Sequence, residues 1–125
     1  MFILYVADQG RSRDFYRAVL GREPELDVPG MTEFKLTESS SLGLMPEKGI
    51  HMILGDTMPH PQEGSGIPRA ELYLFVPDPA AALITLVDVG GKSISTAQLR
   101  NWGDTVAYGA DPDGHVIAFA ERGGS

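Results

Sequence analysis

The sequence predicts an α+β fold made of two similar halves within one domain. Three observations carry this prediction: a length of 125 residues, a strand–helix segment that occurs twice, and strands with one uniformly apolar face. A chain of this length buries a sufficient core without disulfides, and the sequence contains no cysteine. Disulfides, thiolate-bound metal clusters and a cysteine nucleophile are therefore excluded.

The charge balance bears on the kinds of partner that the protein can have. The formal net charge is -7, from 10 basic and 17 acidic side chains, and an acidic surface repels phosphate backbones. The sequence contains no apolar run near the roughly 20 residues that span a bilayer, and its N-terminal segment lacks the features of a signal peptide. We therefore expect a cytoplasmic protein with neither a nucleic acid nor a membrane as its partner.

The first half begins with a strand and an amphipathic helix. Residues 2–7 form a short apolar run that is typical of a strand. Residues 9–20 carry apolar side chains at three- and four-residue spacings, which indicates a helix. Asp8 or Ser12 is suited to cap its start, and Gly21 is suited to end it.

The rest of the first half is predicted from alternation and from turn residues. Residues 31–37 and 41–45 alternate and are predicted to be strands. Residues 46–69 are rich in proline and glycine, which favours a long loop with a short helix or strand at 50–54.

The second half follows the same order of elements. Residues 70–76 are predicted to be a strand, and Pro79 opens a helix that ends at a pair of glycines. Residues 104–109 and 116–120 are predicted to be strands joined by a tight Asp-Pro-Asp-Gly turn over 111–114.

A sequence repeat relates the two halves. LYVAD at 4–8 matches LFVPD at 74–78, and the same 70-residue spacing takes Gly21 to Gly91. The strand, the helix and the glycine that ends the helix thus recur at the same spacing. The alternative is a chance similarity over a few apolar residues. Two further strands follow each helix, and the long loop gives room for a fourth strand in the first half. One half alone would leave one face of its sheet exposed to water, which is a physical reason for the chain to contain two such halves.

Strand parity separates a core face from a second, mixed face. The core parity is uniformly apolar and comprises Phe2, Leu4, Val6, Leu42, Leu44, Leu72, Leu74, Val76, Ile117 and Phe119. The mixed parity comprises Ile3, Tyr5, Gly43, Met45, Glu71, Tyr73, Phe75, Val116, Ala118 and Ala120. We interpret the mixed face as a pocket lining, because its small residues leave volume that aromatic rings enclose. A second core face or a subunit interface is the alternative.

Two segments of the chain resemble the signatures of the vicinal oxygen chelate superfamily. They are DFYRAVLG, which follows the LYVAD strand, and WGDTVAYGADPDGHVIAFAE at 102–121. This group contains glyoxalase I, the extradiol dioxygenases and the bleomycin-resistance proteins. The resemblance implies one domain over 1–125 with module one at about 1–65 and module two at about 66–122. It further implies two tandem βαβββ modules that form a curved mixed sheet around a cleft, commonly in a homodimer.

The resemblance also implies where metal-dependent members carry their His and Glu ligands. Those positions fall at Met1, Gly43, Glu71 and Ala118. Glu71 is the one suitable donor among them, because a thioether binds nickel, zinc and iron(II) poorly and the other two side chains offer no donor. We therefore expect no metal and no cofactor. A metal-dependent lyase or isomerase of the lactoylglutathione lyase type is the alternative, with Glu71 as the best catalytic candidate.

The histidines of the sequence are not expected to supply the missing ligands. His51 and His60 lie in the irregular segment, and His115 follows the tight turn. A lone loop histidine is more often solvated than bound to a metal.

The mixed face and the resemblance together favour a metal-free small-molecule-binding protein. Its aromatic side chains offer flat surfaces to an aromatic ligand, and Glu71 favours a cationic one. The candidate ligand-binding residues are Tyr5, Met45, Glu71, Tyr73, Phe75, Trp102 and Ala118. The structural alternatives are that Trp102 pins its loop, that Tyr73 makes a core hydrogen bond, and that Glu71 pairs with a base. A degenerate module that pairs with another protein is a third possibility.

Overall fold

The computed structural model describes residues 1–123, which form two compact units. Module one comprises residues 1–65, and module two begins at Gly66. Each module contains a four-stranded mixed sheet, and three α-helices accompany the two sheets within the described residues. The predicted α+β class with two βαβββ modules is confirmed. No helix in this part of the chain has the length and apolar character that crossing a membrane requires.

Module one builds its sheet from four strands in the order β1-β4-β3-β2. Its elements are β1 (Phe2–Val6), α1 (Gln9–Leu20), β2 (Leu26–Val28), β3 (Met31–Thr37), β4 (Ser40–Pro46) and α2 (Glu47–Leu54), followed by short 3-10 turns at Gly55–Thr57 and Pro61–Gly64. The β1–β4 pair is parallel, and the other two pairs are antiparallel.

Module two repeats this arrangement with the strand order β5-β8-β7-β6. Its elements are β5 (Glu71–Phe75), α3 (Pro79–Asp88), β6 (Lys92–Leu99), β7 (Thr105–Ala110) and β8 (Val116–Glu121). The β5–β8 pair is parallel, as β1–β4 is in module one. The sequence repeat therefore corresponds to a repeated strand order.

Both principal helices begin at an aspartate that caps the first turn. The Asp8 carboxylate accepts a hydrogen bond from the Arg11 backbone N–H at 2.9 Å, and the Asp78 carboxylate accepts one from the Ala81 N–H at 3.1 Å. The cap of α1 is therefore Asp8, and Ser12 lies buried inside the helix. Such caps satisfy backbone donors that have no partner within the helix.

The turn between β7 and β8 is built around the side chain of Asp111. One carboxylate oxygen accepts the backbone N–H groups of Asp113 at 2.9 Å and His115 at 2.8 Å. Gly114 has a φ of 90°, a conformation that glycine adopts without the cost of a Cβ. The predicted Asp-Pro-Asp-Gly turn is thus present, and it fixes the antiparallel register of the two strands that it joins.

In module one, the predicted core parity packs on the side of α1. Phe34, Leu42 and Leu44 are fully buried, as is Tyr16 of the helix. The placement of Phe2 in this core was wrong, because Phe2 is 59% exposed at the start of β1.

In module two, two glycines let α3 approach the sheet closely. A Cβ on Gly109 would lie 2.9 Å from two methyl groups of the fully buried Leu86, and one on Gly91 would lie 2.7 Å from the Ala110 carbonyl oxygen. Such contacts are shorter than packed atoms tolerate. Gly91 therefore serves the packing of α3, whereas Gly90, with a φ of 105°, follows the helix end.

Two strands were not predicted from the sequence. The fourth strand of module one is Leu26–Val28, between α1 and β3, so its expected location in the long loop was wrong. That loop instead carries α2, which overlaps the short element proposed at 50–54. In module two, Lys92–Leu99 forms β6 and is mostly exposed. A three-residue strand and a mainly polar edge strand give little hydrophobic alternation, so neither stands out in the sequence.

The caps lead to a test of the fold. Replacing Asp8 or Asp78 with alanine is expected to lower the free energy of unfolding by about 1 kcal/mol, because each change leaves backbone donors unsatisfied. Urea denaturation followed by circular dichroism measures the change. Asp88→Ala is the control, since it removes a carboxylate from the unfavourable C-terminal turn of α3. Equal loss in all three variants would contradict the capping role.

Candidate functional site

Four of the seven candidate ligand-binding residues share one face of the module two sheet, and a fifth, Trp102, is bonded to them. This face, called the open face of module two, is opposite the one on which α3 packs. Cross-strand neighbours there are Glu71 and Val116, Tyr73 and Ala118, and Phe75 and Ala120. Ala118 and Ala120 are fully buried beneath the larger side chains, with Tyr73 and Tyr108 packed against them. The face is therefore a small-residue floor flanked by aromatic rings.

Tyr73 is held by two hydrogen bonds at its hydroxyl group. The hydroxyl donates to an Asp104 carboxylate oxygen at 2.6 Å and accepts a hydrogen bond from the Trp102 indole N–H at 2.9 Å. Asp104 also accepts the Gly123 backbone N–H at 3.3 Å. These contacts tie β5 to the segment between β6 and β7 and fix the position of the indole ring.

The hydrogen bonds shift the protonation equilibria of both acids. The bond from the Tyr73 hydroxyl lowers the pKa of Asp104, against a smaller effect of desolvation. Desolvation, reinforced by the bond to Asp104, raises the pKa of Tyr73. The ionised Asp104 therefore stabilises the fold above its ordinary pKa of about 4, and this contribution is lost as the pH falls through the lowered value.

Phe75 has its ring between an aromatic neighbour and a cation. The Tyr73 ring meets it edge-on with centroids 5.5 Å apart. The Arg122 guanidinium lies 3.9 Å from the Phe75 ring centroid, within cation–π range. Half of the Phe75 side chain is nevertheless exposed. The open face of module two is thus already in contact with one cation of the same chain, the Arg122 guanidinium.

A second cation–π contact lies beside the Tyr73 cluster. The Arg100 guanidinium is 5.1 Å from the Tyr108 ring centroid and donates to Ser95 Oγ and to the Val106 carbonyl oxygen, both at 3.0 Å. These bonds hold Arg100 against the sheet. Arg100 is therefore a fixed positive group at the edge of the open face of module two.

Glu71 occupies the first position of β5 and is exposed. Within residues 1–123 it has no ion-pair partner, so the predicted alternative of a pairing with Arg69 or Arg100 is wrong. Tyr73 lies two residues further along the same face of β5. Glu71 thus places an unpaired carboxylate beside the aromatic cluster.

The remaining two candidate residues lie in module one. Tyr5 and Met45 are cross-strand neighbours on the β1–β4 pair. Tyr5 is 36% exposed, and Met45 is half-buried. They belong to the face opposite α1, here called the open face of module one.

The positions that the resemblance implied for metal ligands do not fit a hard divalent ion. In module one, Gly43 has no side chain and is covered by the Met1 sulfur. In module two, Ala118 is buried and offers no donor, which leaves Glu71 alone. No cluster of three His, Cys, Asp or Glu side chains suited to a metal ion occurs within residues 1–123.

Two histidines that are nine residues apart in the sequence have their rings in tilted contact in module one. The rings of His51 and His60 have centroids 4.4 Å apart. The His60 ring nitrogen Nδ1 accepts the Gln62 backbone N–H at 3.1 Å and so caps the second 3-10 turn. These contacts assign His60 a structural role in the segment after α2.

A surface depression of about 280 Å³ in module one does not coincide with any predicted site residue. It is lined by Gln9, Gly10, Arg13, Asp27, Val28 and Pro29. Gln9 donates to the Val28 carbonyl oxygen at 2.8 Å, and Arg13 pairs with Asp27 at 3.2 Å. Because these polar side chains already have partners, they fasten the β2–β3 hairpin to α1.

The sequence did not identify Asp104, Tyr108 or Arg122 as members of the cluster. Asp104 and Tyr108 lie within the 102–121 segment without being singled out by it, and Arg122 directly follows that segment. The one available signal was strand parity: Tyr108 pairs with Ala118, which had been assigned to the mixed face.

Comparison with known proteins gives a consistent picture of the fold. A model of the Glyoxalase/Bleomycin resistance protein/Dioxygenase superfamily matches residues 1–119. No curated protein sequence matches the chain.

Several solved structures share the architecture. A glyoxalase-related enzyme from Fulvimarina pelagi is 22% identical, with a TM-score of 0.81 over 97% of this chain and 85% of that one. A protein of unknown function from Agrobacterium tumefaciens str. C58 is 25% identical, with a TM-score of 0.75 over 95% and 89% of the two chains. A glyoxalase/bleomycin resistance protein/dioxygenase from Nocardioides is 20% identical, with a TM-score of 0.73 over 98% and 81%. Identities this low establish a shared fold and leave activity open.

The Tyr73–Asp104 bond leads to a titration experiment. In Asp104→Asn, the pKa of Tyr73 is expected to fall toward its ordinary value of about 10, because the change removes the carboxylate that opposes phenolate formation. Nuclear magnetic resonance of the tyrosine ring carbons, with Tyr73→Phe for assignment, measures the shift. Asp56→Asn, which changes an exposed carboxylate in module one, serves as the control. An unchanged Tyr73 titration in Asp104→Asn would show that the bond is not formed.

Proposed function

Because the chain belongs to the Glyoxalase/Bleomycin resistance protein/Dioxygenase superfamily, we propose that it binds a planar cationic small molecule without a metal. The proposed binding surface is the open face of module two. One observation carries the proposal: two exposed aromatic rings, Phe75 at 50% and Trp102 at 56%, flank Tyr73 next to the unpaired carboxylate of Glu71.

The chemistry of this surface favours an aromatic cation over a neutral or anionic compound. Aromatic faces attract cations by about 0.5 to 2 kcal/mol each, depending on how far the site excludes water. The carboxylate of Glu71 adds attraction of the same sign, and the net charge of -7 raises the local concentration of cations. Four charged groups lie on or beside this face: the carboxylates of Glu71 and Asp104, and the guanidinium groups of Arg100 and Arg122, which are already engaged with Tyr108 and Phe75.

The rings of this surface are positioned before any ligand arrives. The Trp102 indole is fixed by its bond to Tyr73, and Tyr73 is fixed by Asp104. A preformed surface binds more tightly, because fewer side chains lose rotational freedom on binding. Ala118 is fully buried, with Tyr73 packed against it, so the ligand would contact the rings rather than the alanine beneath them.

The alternative function is a metal-dependent lyase or isomerase. It is supported by the exposed Glu71, which occupies a position where the resemblance implies a metal ligand. Stoichiometric nickel, zinc, iron or manganese in the purified protein, lost in Glu71→Ala, would favour this function over metal-free binding.

Trp102 is the single tryptophan of the chain and therefore reports binding directly. Titration with a panel of planar aromatic cations is expected to change its fluorescence, and Glu71→Gln is expected to weaken the binding of the best compound about 3- to 10-fold. Glu25→Gln is the matched control, since it removes the same charge from an exposed site in module one. Absence of any fluorescence change across the panel, or equal weakening in both variants, would rule out the proposed surface.

Arg122 is expected to oppose a cationic ligand, because its guanidinium covers one side of Phe75. Arg122→Gln should therefore tighten the binding of an aromatic cation by about 2- to 30-fold, in line with the range of cation–π energies. Lys48→Gln makes the same charge change at an exposed site in module one and controls for long-range electrostatics. Weaker binding in Arg122→Gln would indicate that Arg122 itself contacts an anionic ligand.

A further inference from the structure

Three of the five methionines lie on the open face of module one. Met1 directly precedes β1, Met31 opens β3, and Met45 lies in β4. These strands are neighbours in the order β1-β4-β3. Their side chains share one face because Ile3 pairs with Gly43 and residues two apart on a strand point the same way.

Gly43 lies at the centre of this group and is buried. A Cβ on Gly43 would lie 3.0 Å from the Ile3 Cγ1, 3.1 Å from the Met1 Sδ and 3.3 Å from the Met31 Sδ. The two sulfur atoms therefore converge on the space that a side chain would otherwise fill. Met45 is two residues further along β4 on the same face, so its flexible side chain offers a third thioether to this group.

We propose that Met1, Met31 and Met45 form a binding site for a soft monovalent metal ion, copper(I) or silver(I). Thioethers are soft ligands that favour copper(I) over hard or borderline divalent ions. Methionine has three rotatable side-chain bonds, so sulfur atoms gathered above a glycine reach a shared ion with little backbone movement. This inference does not rest on the proposed function, which concerns module two.

A carboxylate beside the sulfur atoms compensates the charge of such an ion. Glu33 pairs with Gly43 across the β3–β4 register and is half-buried on the same face. No ion pair involves Glu33 in the part of the chain that the structure describes. One negative charge with neutral thioethers suits a monovalent cation.

The site also gives a reason for the mismatch at the family's metal positions. Met1 and Gly43 occupy two positions where hard-metal relatives are expected to carry donors. Substitution by a thioether and a glycine removes nitrogen and oxygen ligands and makes room for sulfur. Module one thereby changes from hard to soft donor chemistry.

Silver(I) titration of the full chain, followed by the methionine ε-methyl resonances, tests the proposal. We expect one equivalent of silver(I) to shift the methyl signals of Met1, Met31 and Met45. Met52 and Met58 are exposed outside this face and are internal controls. Copper(I), added without oxygen, is expected to shift the same three signals, and zinc(II) none.

Variants distinguish a metal site from sulfur atoms that merely cover Gly43. Met31→Leu and Met45→Leu preserve side-chain volume and are expected to weaken silver(I) binding at least 10-fold, whereas Met52→Leu leaves it unchanged. Gly43→Ala keeps all three sulfur atoms but places a methyl group between them, so it too should weaken binding. Uniform shifts of all five methionines, or unchanged affinity in Met31→Leu and Met45→Leu, would overturn the proposal.

Discussion

The alternation of side chains along the strands is the constraint on which both modules depend. Each sheet packs one face against its main helix, so that parity must be apolar and closely fitted. The buried Leu44 and Phe119 meet this demand in module one and module two. The opposite parity does not pack against that helix. It therefore carries the groups with distinctive chemistry, thioethers in one module and aromatic rings in the other.

Much of the fold could be predicted because its signals are local. Helix caps, the Asp-Pro-Asp-Gly turn and the strand 31–37 each depend on residues within a few positions of one another. β2 and β6 escaped prediction because their stability comes from pairing with β3 and β7 rather than from their own side chains. The backbone of an edge strand hydrogen-bonds to its one neighbouring strand, and a polar edge strand resembles a loop in sequence.

The candidate site was predictable only as far as strand parity reaches. Strand parity placed Tyr73 and Phe75 on one face, whereas Trp102 was a candidate because of its aromatic side chain. It does not report distances between distant segments, so the bond from Tyr73 to Asp104, 31 residues later, was missed. The contact of Arg122 with Phe75 also depends on how the chain turns after β8. Whether these residues bind a ligand remains a prediction.

The two aspartate caps bear on how each module can evolve by amino-acid substitution. Asp8 and Asp78 each cap the first helix of their own module, and the strands of each sheet pair with strands of the same module. A substitution that alters the surface chemistry of one copy thus leaves the hydrogen-bonded frame of the other intact. Two modules built in this way can therefore differ in their exposed side chains, with thioethers in one and aromatic rings in the other, while both keep the same fold.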